Sequence, residues 1–191
     1  DETLAELKSN RGYDDMLKRW FPVKGAPAPM PAIDLSGSNG ILRFGTAAVT
    51  EPMSFHDAHR NIVGFDVEFA IRVAFKLNKK IEITDMEFGA LLPALISGKV
   101  DMIGAGLSIT EERAKKVLFS ESYYPSGIAA LVRGNAPAPV SSAGGKLKTV
   151  DDIRDKTIGV MLGSVYDTYV MRTYPDAVSY THLRAHETKA N

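Results

Sequence analysis

The sequence predicts an α/β fold with a mostly parallel sheet. Two observations carry that prediction. From Ile41 to Ile103, strand-like and helix-like segments alternate in the order β-α-β-α-β, which sets parallel strands side by side with helices on both faces. Two strand ends also run through a glycine straight into a helix start, at Gly106 and at Gly163. Ligands of open α/β sheets bind outside the carboxyl ends of the strands, where such turns lie.

Composition sets the outer bounds. Apolar residues make up 45% of the 191 residues, enough for a core, and the length suits one domain or two small lobes. Lys plus Arg equals Asp plus Glu, at 23 each, so charge gives no support for nucleic acid or an acidic membrane surface as partner. No apolar run approaches transmembrane length. Cys is absent, which excludes disulfides and thiolate metal sites and leaves the compartment open. The chain begins at Asp1 as if in mid-helix, with neither an initiating Met nor a signal peptide.

In chain order, residues 1–22 read as an amphipathic helical segment broken at Asn10 to Gly12. Its apolar members are Leu4, Leu7, Met16, Leu17, Trp20 and Phe21. Pro22 to Gly40 is Pro-, Ala- and Gly-rich, a semi-rigid linker. Ile41 to Thr46 is a strand, and Glu51 to Phe55 a loop. Ile62 to Phe65 leads into Asp66, a good N-cap, and Val67 to Leu77 carries helical spacing at Val67, Ala70, Ile71, Ala74 and Phe75. Ile81 and Ile83 flank Glu82 in a short strand. Leu91 to Ile96 is a second helix with Pro93 tolerated in its first turn, and Val100 to Ile103 is the third strand. Beyond it lie a short helix, a strand from Ile128 to Val132, and a Pro-, Ser- and Gly-rich loop from Asn135 to Gly145. A short helix at Val150 to Ile153 follows, then a strand from Thr157 to Leu162. After Gly163-Ser164-Val165 a helix runs to about Tyr174.

The most informative stretch is Gly106-Leu107-Ser108-Ile109-Thr110-Glu111-Glu112-Arg113. Thr110 is an N-cap, because its hydroxyl can accept from the first-turn N–H groups. The stretch offers a carbonyl at Gly106, a hydroxyl and an N–H at Ser108, and a guanidinium at Arg113. Helix N-termini attract anions and a guanidinium grips a carboxylate with parallel hydrogen bonds. That set would suit an amino-acid head group, with the carbonyl for the ammonium and the remaining donors for the carboxylate. A capped surface helix with a solvated Arg fits the local pattern too. The Gly163 turn has the same two readings, an anion-binding N-terminus or an ordinary βα connection.

The order and spacing of several short pieces bring in a resemblance. They are Val63-Gly64-Phe65-Asp66, Leu91-Leu92-Pro93-Ala94-Leu95, Lys99-Val100-Asp101, Leu107 to Arg113, Phe119-Ser120 and Tyr123-Tyr124. From Leu42 to about Ala177 the chain resembles the bacterial extracellular solute-binding proteins of the amino-acid type, family 3. The resemblance implies a periplasmic-binding-protein-like (type II) two-lobed fold that closes on a small ligand without catalysis, cofactor or metal. Arg113 then looks like the carboxylate-binding arginine, Ser108 like its hydroxyl and N–H partner, and Gly106 like the carbonyl that meets the ammonium. Phe88 falls where the family often places an aromatic wall, while Phe55 and Thr50 lie on the loop after the first strand. Phe55 and Phe88 also fit as core aromatics. Gly163, Ser164 and Val165 match the second lobe's closing turn.

Some positions depart from the family pattern. Val165 stands where Thr is common, so only its N–H can help there, and Thr50 stands where an aromatic is common. No counterpart of the second-lobe acid that grips the ammonium is found.

The ends extend this picture. Residues 1–22 resemble the final helix of a family-3 domain, which implies tandem domains, while a simple N-terminal helix also fits them. Val178 to Thr188 resembles a translated sequencing-library adaptor, with Lys189 to Asn191 as index bases. On that view His182 and His186, four apart, are no zinc site. The expected layout is 1–22 as the C-terminal helix of a preceding domain, 23–40 as a Pro-rich linker, and 41–133 as lobe 1. Residues 134–177 begin a truncated lobe 2, and 178–191 are a non-native tail.

Three functions follow in order of expectation. The first is extracytoplasmic capture of a polar amino acid by a monomeric domain, free or membrane-tethered, serving an ABC permease, with a hinge near Val132 to Asn135. The second is the sensing domain of a membrane histidine kinase. The third is a cyclohexadienyl-dehydratase-like enzyme, for which no base is evident, since His56 and His59 read as surface residues.

Overall fold

Residues 1–22 form two helices, α1 (Glu2–Ser9) and α2 (Gly12–Trp20). The break falls at Asn10–Arg11, where Arg11 takes a left-handed backbone (φ 66). The structure, a computed structural model, describes residues 1–131 and 149–180. The expected hinge, the Asn135–Gly145 loop and residues 181–191 of the tail lie outside them. The chain folds as two units, Asp1–Tyr123 and Tyr124–Asn191.

In the first unit, β1 (Ile41–Thr46) is followed by β2 (Val49–Thr50), β3 (Ser54–His56) and β4 (Ile62–Val63). Then come α3 (Phe65–Lys76), β5 (Lys80–Asp85), α4 (Phe88–Ile96), β6 (Met102–Ile103) and α5 (Glu111–Ala114). The main sheet has the order β5-β1-β6, all parallel, as the β-α-β-α-β pattern predicts. Leu42, Phe44 and Thr46 alternate into the interior from β1, and Phe44 packs with Val67 and Ala70 of α3.

The segment read as a loop from Glu51 to Phe55 instead contributes to a small antiparallel sheet, β2-β3-β4. Its strands are two or three residues long, too short for alternation to register. Asp66 is not the N-cap of α3; Gly64 is (φ 136). A Cβ on Gly64 would lie 2.3 Å from the Met53 carbonyl oxygen, so only glycine fits. The Pro52 and Met53 carbonyls accept the first helical N–H groups of Phe65 and Asp66, at 3.0 Å each. The cap is therefore supplied by backbone, and the Asp66 side chain serves elsewhere.

The second helix begins at Phe88, so Pro93 sits in its second turn and cannot donate to the carbonyl one turn back. Residues 128–131 are not strand.

The core of this unit is shared between the leading helices and the α/β part. Leu4, Leu7, Met16 and Trp20 pack with Val63, Phe65 and Phe69, each worth roughly 1.5–3 kcal/mol if fully buried. Glu68 of α3 is wholly buried and holds this junction. It accepts from Arg19 (3.0 Å), Trp20 Nε1 (2.7 Å) and Arg72 (2.6 and 3.0 Å). Removing one partner of such a buried ionic cluster costs far more than the pairing itself contributes. The stretch from 23 to 40 has no helix or strand but is tied down. The Ala28 N–H donates to the Arg19 carbonyl, and the Asn39 N–H to the Asn78 carbonyl.

In the second unit, a 3₁₀ turn at Val150–Ile153 precedes β7 (Thr157–Gly159), α6 (Val165–Thr173) and β8 (Val178–Tyr180). Thr149 and Asp152 form a reciprocal capping box on the turn. β7 is shorter than the strand expected from Thr157 to Leu162, and β8 pairs parallel with it.

Candidate functional site

The carboxyl ends of β1, β5 and β6 meet at one edge of the first unit. Thr46, at the end of β1, is fully buried. Its hydroxyl donates to the Gly104 carbonyl at 2.5 Å and bonds Ser54 Oγ at 2.7 Å. The end of β5 is joined to the same edge. The Met86 N–H donates to the Thr46 carbonyl, and the Ala48 N–H to Asp85 Oδ1, both at 2.9 Å. Asp85 Oδ2 lies 3.2 Å from His56 Nε2 on the exposed surface. These bonds fix where the turn after β6 begins and where α4 starts.

That turn is the Gly106–Arg113 stretch. Gly106 takes φ +61, while a Cβ there would meet only the Met53 side chain at 3.6 Å or more. Glycine is thus favoured by backbone conformation and not by space. Thr110 caps α5, its Oγ1 accepting the Arg113 N–H at 3.3 Å. The Arg113 guanidinium folds back so that Nη1 donates to the Ser108 carbonyl at 2.8 Å. It also lies over the Phe88 ring, 5.9 Å from the centroid, within cation–π range. Phe88 is buried as the first residue of α4. Partial burial lowers the Arg113 pKa, partly countered by Glu112. The helix of the sequence reading is only one turn long.

Of the residues singled out from sequence, Gly106, Ser108, Phe88 and Arg113 come together at this edge. Thr50 lies in β2, paired with Ser54 across the ladder. Phe55 is half-buried and packs against the core cluster, edge-to-face with Trp20 at 6.1 Å.

Gly163, Ser164 and Val165 form a turn in the second unit. Gly163 has φ +74, and the buried Ser164 caps α6 by accepting the Asp167 N–H at 3.2 Å. Asp167 Oδ2 accepts the Gly163 N–H at 3.0 Å. A carboxylate of the chain itself therefore already meets the N-terminal turn of α6. Asp167 Oδ1 is buried with no hydrogen-bond partner among the described residues.

Two residues from the pieces that carry the resemblance, Asp66 and Tyr123, join the first site, though neither is assigned a role there from sequence. Asp66 Oδ2 accepts the Gly106 N–H at 2.6 Å, and Asp66 Oδ1 accepts the Tyr123 hydroxyl at 2.7 Å. Burial pushes Asp66 up to about 6, opposed by those two donors. Tyr123 is pushed well above the ordinary phenol range, chiefly by burial and then by the neighbouring Asp66 charge. The sequence signals are an acid inside the apolar run Val63 to Val67 and the place of both residues in the pieces that carry the resemblance.

The chain matches known proteins along most of its length. The family model for bacterial extracellular solute-binding proteins, family 3, matches residues 42–188. The arginine-binding extracellular protein ArtP of Bacillus subtilis is 33% identical over 159 residues, 79% of this chain and 58% of that protein. The L-cystine-binding protein TcyJ of Escherichia coli is 34% identical over 155 residues, 76% of this chain and 55% of that protein. Among solved structures, the substrate binding protein of an amino acid ABC transporter is 33% identical with a TM-score of 0.64. That match covers 76% of this chain and 62% of the other. The chain thus spans a little over half the length of the curated relatives it matches. Its parallel main sheet, its two strand–glycine–helix turns and these matches agree, and the chain belongs to the bacterial extracellular solute-binding proteins, family 3.

Proposed function

We propose that the chain is part of an extracytoplasmic domain that captures an amino acid and delivers it to the permease of an ABC transporter. One observation carries this reading. Arg113 is held at the carboxyl edge of the sheet by the Ser108 carbonyl and the Phe88 face, close to the Gly106 turn. A guanidinium fixed in this way is suited to grip an α-carboxylate, with the Ser108 hydroxyl and N–H beside it. In the second unit, Ser164 and the backbone of Gly163 and Val165 are the candidate ligand contacts. Thr50 and Phe55 would border the side-chain end.

The names of the relatives favour this reading over a kinase sensor or a dehydratase. They include an arginine-binding, a cystine-binding and an amino acid ABC transporter protein. Their common ligand chemistry is the α-amino-acid head group, which is what the Arg113 site addresses. We read the domain as a binder and not an enzyme, located outside the cytoplasmic membrane.

Titration calorimetry with L-arginine and L-cystine on the intact parent protein tests the proposal. Arg113→Ala should weaken binding about ten- to a hundredfold, as loss of a charge-assisted contact worth about 1.5–3 kcal/mol would. Unchanged affinity in that variant overturns the assignment of Arg113. Failure of the intact protein to bind any amino acid overturns the function. The 191-residue chain by itself is expected to bind poorly, and tight saturable binding to it would mean that no further segment is required.

A further inference from the structure

We propose that Asp66 is a positioning residue for the ligand-facing turn: its carboxyl, carried on α3, holds the Gly106 peptide in place. The role for a ligand rests on the function proposed above; the role in the turn does not.

The geometry is specific. Gly106 sits in the left-handed region (φ +61), and its peptide has no partner in the β1–β6 ladder, which pairs only Phe44 with Met102 and Gly45 with Ile103. The turn is pinned at two points by buried side chains. Thr46 takes the Gly104 carbonyl at 2.5 Å, and Asp66 takes the Gly106 N–H at 2.6 Å. The two lie on different elements, so the intervening peptides are fixed between β1 and α3. Contact at Gly104 tightens this further, since a Cβ there would lie 3.2 Å from the Phe44 ring and 3.4 Å from Asp66 Cβ.

Asp66 is 2% exposed and keeps its place because both carboxyl oxygens are used. α3 needs no cap from it, because the 52–53 carbonyls supply one. A buried acid in the first helical turn that is not a cap has another task, and here its contacts are the Gly106 peptide and Tyr123. The titratable groups facing it are phenols. Tyr123 comes from the segment after α5, and behind it Tyr13 of α2 donates to the Tyr123 carbonyl. The turn itself supplies only backbone. Ionised, the carboxylate is a strong acceptor for the Gly106 N–H; protonated, it is a weaker one. The turn is therefore coupled to the protonation of Asp66, which burial raises to about 6.

Amide NMR on the 191-residue chain reads this without any ligand. The Gly106 proton should be shifted downfield, protected from exchange, and titrate with a midpoint near 6. Asp66→Ala should speed Gly106 exchange by about ten- to a hundredfold, the loss expected for a hydrogen bond to a charged group. Asp66→Asn keeps an acceptor, so it should recover most of that protection while abolishing the titration. Tyr123→Phe should leave Gly106 protected but move the midpoint upward, since one donor to the carboxylate is gone. Should the alanine variant fail to fold, the asparagine and phenylalanine variants still decide. A Gly106 amide that neither titrates nor changes in Asp66→Asn overturns the proposal.

L-arginine binding by the intact parent is the separate arm. Expected titration at Gly106 with no arginine binding supports the positioning role and counts against the function. Arginine binding that is lost in Asp66→Ala and restored in Asp66→Asn supports both.

Discussion

Two turns in this chain share a chemical plan and meet it from different distances. Each follows a strand, takes a glycine in the left-handed region, and opens a helix whose cap is a hydroxyl, Thr110 for α5 and Ser164 for α6. Each also presents a glycine N–H to a carboxylate. In the second unit that acid is Asp167, four residues along on the helix being capped. In the first it is Asp66, forty residues back on α3. The second turn is thus a local structure that its own sequence nearly specifies. The first is a tertiary structure, and anything that moves α3 moves it.

The largest expected effect lies in what holds α3. Phe65, fully buried at its first position, stacks on Tyr123 at 5.8 Å and meets Tyr13 and Phe21 edge-on. Phe65→Ala should destabilise the first unit by about 3–5 kcal/mol, read by chemical denaturation. If the first turn is tertiary, amide exchange at Gly106 should rise with that loss while Gly163 stays as it was. Equal changes at both glycines would end the contrast between the turns.

A smaller effect should appear as pH dependence in the first unit. Asp66 has a folded pKa raised from 3.8 to about 6, so the folded state holds its proton more tightly than the unfolded chain. The favourable contribution is complete below about 3.8 and is lost as pH rises through about 6. The span is on the order of 3 kcal/mol. Urea denaturation of the chain and of Asp66→Asn from pH 4 to 8 measures it. Stability relative to the variant should fall across that window and then level off. A constant difference would mean that Asp66 ionises as it would in water, and the carboxylate would no longer distinguish the two turns.

The same contrast explains what could be read from residues alone. The parallel sheet was legible because helical and strand periods alternate over whole elements. The Thr110 cap and the Gly163-Ser164 turn were legible because hydroxyl and helix are adjacent in sequence. The β2-β3-β4 sheet was not, since strands of two or three residues carry no period. Asp66 reads as a cap because an acid before an apolar helical run looks like one. What displaced it was the Met53 carbonyl approaching Gly64, a contact that no local pattern encodes. Phe55 has two readings from sequence, ligand loop and core aromatic, and its contact with Trp20, thirty-five residues earlier, is one that no local pattern encodes. Arg113 was legible as a residue, while its seat on Phe88 depends on how α4 leaves β5.

The smallest test compares the two caps directly. Ser164 is 1% exposed and caps a nine-residue helix, with Asp167 bonding back to the same turn. Thr110 is half-buried, its bond is longer at 3.3 Å, and its helix has four residues. A cap contributes through the helix it starts, and the usual cost of removal is about 0.5–2 kcal/mol. Ser164→Ala should fall toward the upper part of that range and Thr110→Ala at or below its foot, both by denaturant unfolding. The order matters more than the sizes. The first turn is already held from outside by Thr46 and Asp66, so losing Thr110 leaves Gly104 and Gly106 in place. The second turn is held by local bonds, the Ser164 N–H to the Met161 carbonyl and the Gly163 N–H to Asp167, and losing Ser164 loosens the partner of Asp167 as well. A larger effect at Thr110 would mean that the first turn, too, is shaped chiefly by its own sequence.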